Sequence, residues 1–333
     1  MKDVAAEAGV SLGTVSNVLN RPEKVSARTR EQVQSAIDRL GFVRNDAARQ
    51  LRSGANQSVG MIVLDVGNPF FTDLAQSAET RLGELHRPLI LGSSGQDPVR
   101  EANYLDLFES QRVSGVLISP VGQVQERLRQ LRRRGIAVVV VDRRLGSGEF
   151  PSVGVDDLLG ARLAVTHLVQ GGRRRIAFVG GSPELSQVRR RLAGAQAAAA
   201  ESGLDATVEA IRTDTLDATA GRRAVEALLD RSPSRRPDAI FAANDLLALG
   251  VLQGLTLAGV AVPDEMAVVG YDDIEFASSA AIPLTSVRQP RDALGQVAAD
   301  LLLEHIADPD VEPREVILEP ELMIRLSSTT RSG

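Results

Sequence analysis

The groups in this 333-residue chain that could do chemistry are carboxylates, guanidinium groups and amides. Cysteine is absent, which removes thiol nucleophiles, disulfides and thiolate metal sites. His86, His167 and His305 stand far apart, without the spacing of metal ligands or of a base beside its nucleophile. Lys2 and Lys24 are the only lysines, and neither ends a phosphate-binding glycine loop. Gly180 and Gly181 lack the spacing of a dinucleotide fingerprint, and no Gly-x-Ser-x-Gly elbow occurs. Catalysis is therefore disfavoured, and no metal or cofactor is implied. What recurs instead is a polar cluster at the end of an apolar run: Asn68-Pro69-Phe70-Phe71, Asp142-Arg143, Asn244-Asp245 and Tyr271-Asp272-Asp273. Aromatic faces stack on C–H groups, and planar amides, carboxylates and guanidinium groups pair with hydroxyls, so the set suits a polyhydroxylated ligand. Taken singly, Phe70 and Phe71 fit a core and Asp272 fits a loop cap equally well; convergence is what would make them a site.

Convergence requires a scaffold that aligns the run ends. Apolar runs recur at 59–66, 88–93, 113–119, 136–141, 153–155, 176–179, 209–212, 239–243 and 266–270, with helical patterns between them. These read as buried parallel strands joined by crossover helices, an α/β arrangement that binds ligands beyond the carboxyl ends of its strands. The runs fall into two sets of about four, predicting two similar doubly wound subdomains. After Pro283, a strand at 284–288, a helix at 291–306 and a strand at 316–326 would close both sheets, so the chain crosses between them more than once. The expected division is 1–44 and 45–57 for a head and its linker. The core would then split into 58–155 with 284–315, and 156–283 with 316–333. No apolar run reaches membrane-spanning length and the N-terminus lacks an apolar signal core, which predicts a cytoplasmic protein.

The N-terminal segment has a different texture. Residues 3–8 predict a short helix, Gly9 a turn with positive φ, and Ser11 the N-cap of a second helix over 12–19. Val15, Val18 and Leu19 would face inward, and Thr14, Ser16 and Asn17 outward, as short polar groups suited to phosphates and base edges. Ser26 would cap a third helix, with Val33, Ala36, Ile37 and Leu40 inward and Gly41 as its stop. Helix, glycine turn and helix at this spacing read as a helix-turn-helix, which names double-stranded DNA as a partner. Charge agrees: the first 58 residues carry two lysines and seven arginines against six carboxylates, whereas the whole chain is net −5. Residues 45–53 form a stretch too short to hold a helix in water alone.

Together these stretches resemble the LacI/GalR family of bacterial transcription regulators. KDVAAEAGVSLGTVSNVLN and VSARTREQVQSAIDRLGFVRN resemble its DNA-binding domain, and ARQLRSG its hinge helix. NPFF, RIAFVGG, RLAG, AANDLLALG, VVGYDD and TSVRQP resemble its effector-binding core, whose fold periplasmic sugar-binding proteins share. The resemblance implies an all-α helix-turn-helix head and hinge helix followed by two periplasmic-binding-protein-like subdomains. It implies base contacts from Leu12, Gly13 and Asn17, and phosphate contacts from Thr14, Ser16 and Asn20. Leu51 would wedge into the minor groove at the operator centre, with Arg52 beside it. Phe70, Asp142, Arg191, Asn244 and Asp272 match positions that commonly touch effector. Three departures accompany this. Met1 stands where family members carry a capped helix start, so either the start lies upstream or the first helix is weakly capped. Gly13 offers no side chain, so base readout rests on fewer groups. No leucine-repeat tail follows Leu326, which predicts a dimer. The implied protein is a homodimeric, non-enzymatic repressor on a pseudo-palindromic operator, switched by a small molecule. NPFF with Asp272 and the absence of tryptophan favour a sugar over a purine or nucleoside; a sugar-binding or sugar-modifying protein is the rival of another class.

Overall fold

The computed structural model describes residues 1–42, 56–143 and 148–329. Residues divide into two units, 1–55 and 56–333.

The first unit holds α1 (Lys2–Glu7), α2 (Leu12–Asn20) and α3 (Ala27–Leu40). Gly9 turns the chain with φ +61, a conformation open to glycine at little cost. Ser11 caps α2 by accepting from the Thr14 N–H at 3.0 Å, and Ser26 accepts from the Thr29 N–H at 3.3 Å at the start of α3. Met1, at the N-cap of α1, makes no side-chain cap bond. Val4, Ala8, Val15, Val18, Val33 and Ala36 form the small core. Leu40, expected inward, is exposed at the last turn of α3. The Gln32 amide donates to the Ala8 carbonyl at 2.9 Å and ties α3 to the end of α1. The hinge stretch 45–53, with Leu51 and Arg52, lies outside the described residues.

The second unit contains two six-stranded sheets. The first is built from β1 (Val59–Val63), β2 (Leu89–Ser93), β3 (Gly115–Ile118), β4 (Ala137–Val141) and β5 (Ser152–Val155). Its crossover helices are α4 (Pro69–Gly83), α5 (Pro98–Ser110) and α6 (Gln125–Arg133). α7 (Asp157–Gln170) leads into the second sheet, β6 (Arg175–Gly180), β7 (Thr207–Arg212), β8 (Ala239–Ala242) and β9 (Ala267–Asp272). Here α8 (Ser186–Glu201), α9 (Ala218–Leu229) and α10 (Asp245–Leu257) supply the crossovers, and α11 (Glu275–Ser279) follows β9. The remainder is β10 (Thr285–Arg288), α12 (Arg291–Ala307), β11 (Glu315–Leu318) and β12 (Glu321–Met323). The strand orders are β11-β5-β4-β3-β1-β2 and β12-β10-β9-β8-β6-β7, all pairs parallel except β10 with β12. Val139, Val140, Ile240 and Val269 are fully buried, as strands covered on both faces require.

The expected exchange points shift. β10 pairs with β9 and belongs to the second sheet, so the crossing to the first falls after Arg288 and not at 283/284. The run expected as one strand over 316–326 is two. Pro320 cannot donate to a ladder, and there the chain leaves β11, paired with β5, for β12, paired with β10. The return to the second sheet thus follows Leu318 and not residue 315.

Helices α9 and α10 cross at two glycines. A Cβ on Gly250 would lie 1.9 Å from the Ala218 carbonyl oxygen, and one on Gly221 2.1 Å from that of Leu247. Backbone cannot step aside here without parting the helices. Gly250→Ala is expected to destabilise the core by roughly 1–3 kcal/mol, read as a lower denaturant midpoint. An unchanged midpoint would count against this tight crossing.

Candidate functional site

In the first unit, α2 buries Val15 and Val18 and leaves Leu12, Gly13 and Asn17 exposed, with Thr14 and Ser16 half-buried. Thr14 Oγ1 lies 2.9 Å from Ser11 Oγ, so it faces the helix start. Asn20 ends the helix. Lys2, Arg21, Lys24, Arg28 and Arg30 are exposed on the same unit. A helix whose solvent face carries small and amide side chains, among exposed cations, can enter a groove and hold phosphates.

In the second unit the polar run ends do converge. The carboxyl ends of β1, β4, β8 and β9 bring Asn68, Phe70, Asp142, Asn244 and Asp272 around one cavity, and α8 adds Gln187 and Arg191. Phe70 and Phe71 stand edge to face, with ring centroids 5.0 Å apart. Asn68 caps α4 by accepting from the Phe70 N–H at 3.1 Å, and its amide donates to Asp272 Oδ2 at 3.0 Å. Gln289 donates to the other oxygen of Asp272 at 2.7 Å. Gln187 Nε2 donates to the Asp142 carbonyl at 2.8 Å and to its Oδ2 at 2.9 Å. Asn244 caps α10, accepting from the Leu247 N–H at 2.9 Å, and donates to the Leu216 carbonyl at 3.0 Å.

The Asn68–Asp272 and Gln187–Asp142 bonds join the two sheets' layers directly, and the cavity they leave measures about 40 Å³. That is room for a water or so, not for a sugar ring. Asp142 and Asp272 have φ of +58° and +109°, left-handed conformations costly for any residue but glycine. Both sit at strand ends where such strain aims a side chain. Burial is the main force raising the Asp142 carboxyl, to about 7, with Asp157 adding to it against Arg191 and Gln187. Burial likewise raises Asp272, opposed by Arg191, Asn68 and Gln289.

All five residues expected here, Phe70, Asp142, Arg191, Asn244 and Asp272, line the cavity. Asn68 and Phe71, named with Phe70 at the end of the first run, line it too, whereas Gln187 and Gln289 line it and were not singled out. Gln187 carried a usable signal, since it lies one helical turn before Arg191 on the same face. Asp157 is the ion-pair partner of Arg191 at 2.8 Å. Arg143 turns away, donating to the carbonyls of Pro120 and Gly122 at 3.1 and 2.8 Å. A larger groove of about 1010 Å³ runs between α4, α12 and α11, but its charges pair with one another: Arg291 with Asp73 at 2.8 Å and Arg81 with Asp300 at 2.7 Å. Among the described residues no acidic or histidine cluster is placed to hold a metal, and no helix is long and apolar enough to cross a membrane.

Comparison with known proteins matches both units. Residues 1–45 fit the model of bacterial regulatory proteins of the lacI family, and 165–328 that of a periplasmic binding protein-like domain. The ribose operon repressor of Escherichia coli (strain K12) is 34% identical over 98% of this chain and 99% of its own. The lac repressor dimer bound to operator and an anti-inducer superposes with a TM-score of 0.81 at 28% identity, over 98% of each chain. A LacI family regulator from Enterococcus faecium with bound ribose superposes at 0.74 and 28% identity, over 81% of this chain and 98% of its own. With a helix-turn-helix in its first unit and a cleft between two sheets in its second, the chain belongs to the lacI family of bacterial regulatory proteins.

Proposed function

We propose that this chain is a repressor that binds a pseudo-palindromic operator as a homodimer on the nucleoid and releases it when a monosaccharide fills the cleft. Leu12, Gly13 and Asn17 face bases in the major groove; Thr14, Ser16 and Asn20 hold phosphates. Leu51 and Arg52 act in the minor groove. Phe70 stacks on the sugar, and Asp142, Arg191, Asn244 and Asp272 take its hydroxyls. The observation that carries the sugar reading is the cavity itself. Two aromatic rings and two strained carboxylates, braced by Asn68, Gln187 and Gln289, meet where the parallel strands end. Ribose is the first candidate, because a similar repressor is named for the ribose operon and a similar regulator carries ribose. Calorimetric titration of the full-length protein with a panel of monosaccharides, ribose first, tests the assignment. A sugar that binds the wild type and spares the Phe70→Ala variant's DNA binding while losing affinity for it supports the reading; binding to neither overturns it.

The chemistry of Asp142 gives this binding a pH signature. A hydroxyl donated to Asp142 favours the ionised carboxylate, whose proton otherwise leaves at about 7. Affinity should therefore climb by up to about tenfold per unit as pH rises towards 7, then level off above it. Asp142→Asn should abolish the slope. A flat profile in the wild type would remove Asp142 from the set of acceptors.

A further inference from the structure

Among the described residues that line the cleft there is one cation, and its charge is already balanced. Arg191 is buried; its Nε donates to Asp157 Oδ1 at 2.8 Å and its Nη1 to the Ala243 carbonyl at 2.6 Å. Its guanidinium lies 3.6 Å from the centroid of the Tyr271 ring, and Asp272 Oδ1 stands 3.8 Å from Nη1. The other charged groups lining the cavity among the described residues are Asp65, Asp142 and Asp272. Arg143, beside Asp142 in sequence, spends its Nη1 on two carbonyls, and Arg190 stands 3.7 Å from Asp156.

We infer that Asp157 is a charge filter: by neutralising Arg191 it makes the cleft a receptor for uncharged, hydroxyl-rich ligands and closes it to phosphorylated or acidic sugars. This rests on the cleft being the effector site proposed above. An anion taken from water needs unspent donors or a free cation in return, and here the amides of Asn68, Gln187 and Gln289 already donate to Asp142 and Asp272 and the guanidinium is paired with Asp157. A neutral sugar brings its own hydroxyl donors to those acceptors. Asp157 touches Arg191 and not the cavity, so it is a positioning residue whose work shows in selectivity more than in affinity.

The test uses the full-length protein and three probes: D-ribose, ribose 5-phosphate and inorganic phosphate, followed by calorimetry and thermal shift. In the wild type ribose 5-phosphate should bind at least ~100-fold more weakly than ribose, and inorganic phosphate should not shift melting beyond a matched ionic-strength control. Asp157→Asn keeps the hydrogen bond to Arg191 but removes the charge. It should improve ribose 5-phosphate binding by about tenfold or more and change ribose binding little. Wild-type binding of ribose 5-phosphate as tight as ribose overturns the filter, as does an Asp157→Asn variant with unchanged selectivity. Should that variant fold poorly, the wild-type comparison still decides. If no neutral sugar binds, the effector reading fails by itself, and inorganic phosphate then judges the filter alone: stabilisation of Asp157→Asn but not of the wild type upholds it, and any other pattern overturns it.

Discussion

Asp272→Ala is expected to weaken sugar binding by roughly 100-fold or more while operator affinity stays within about twofold of the wild type. Asp272 is buried at the end of β9 and receives the amides of Asn68 and Gln289 on its two oxygens. Removing the carboxylate takes away the charged acceptor for ligand hydroxyls, worth about 1.5–3 kcal/mol for each hydrogen bond lost, while the two stranded amides cost stability in the free and bound states alike. Two such bonds, one to each oxygen, reach the roughly 2.7 kcal/mol that 100-fold represents. Operator binding should survive because the residues proposed to contact DNA belong to the other unit. Calorimetry with ribose and fluorescence anisotropy with labelled operator measure the two quantities separately. Simultaneous loss of both would mean that Asp272 holds the fold and not the ligand.

The second large effect belongs to Leu51→Ala. In the proposed complex its side chain is the wedge that opens a base step at the operator centre, an insertion whose unstacking cost is recovered only through apolar contact. Truncation should weaken specific operator binding by roughly 10- to 100-fold, about 1.4–2.7 kcal/mol, with little change in nonspecific DNA binding, in ribose affinity or in melting temperature. An operator affinity equal to wild type in an anisotropy titration would remove Leu51 from the interface.

Much of this architecture was legible because each signal is local. Ser11 and Ser26 announce helix starts through their caps, Gly9 announces its turn through φ, and unbroken apolar runs announce strands buried on both faces. What escaped was long-range partnership. That β10 belongs beside β9, and that Pro320 splits one apolar run between two sheets, depends on which edge is vacant, and no local pattern records it. The site divides in the same way. Phe70, Asp142, Asn244 and Asp272 follow strand ends and could be found by that position. Asp157 matters through Arg191, 34 positions away, so only the fold reveals it.

The central claim is a switch: one protein binds operator and sugar, each at the other's expense. Thermodynamic linkage makes this demand symmetric. The direct measurement is therefore the full square of dissociation constants on the wild-type dimer, operator with and without saturating ribose, and ribose with and without operator. Ribose should weaken operator binding by about 5–150-fold, and operator should weaken ribose binding by the same factor within error. Operator affinity that saturating ribose leaves unchanged, although ribose is bound, would contradict it.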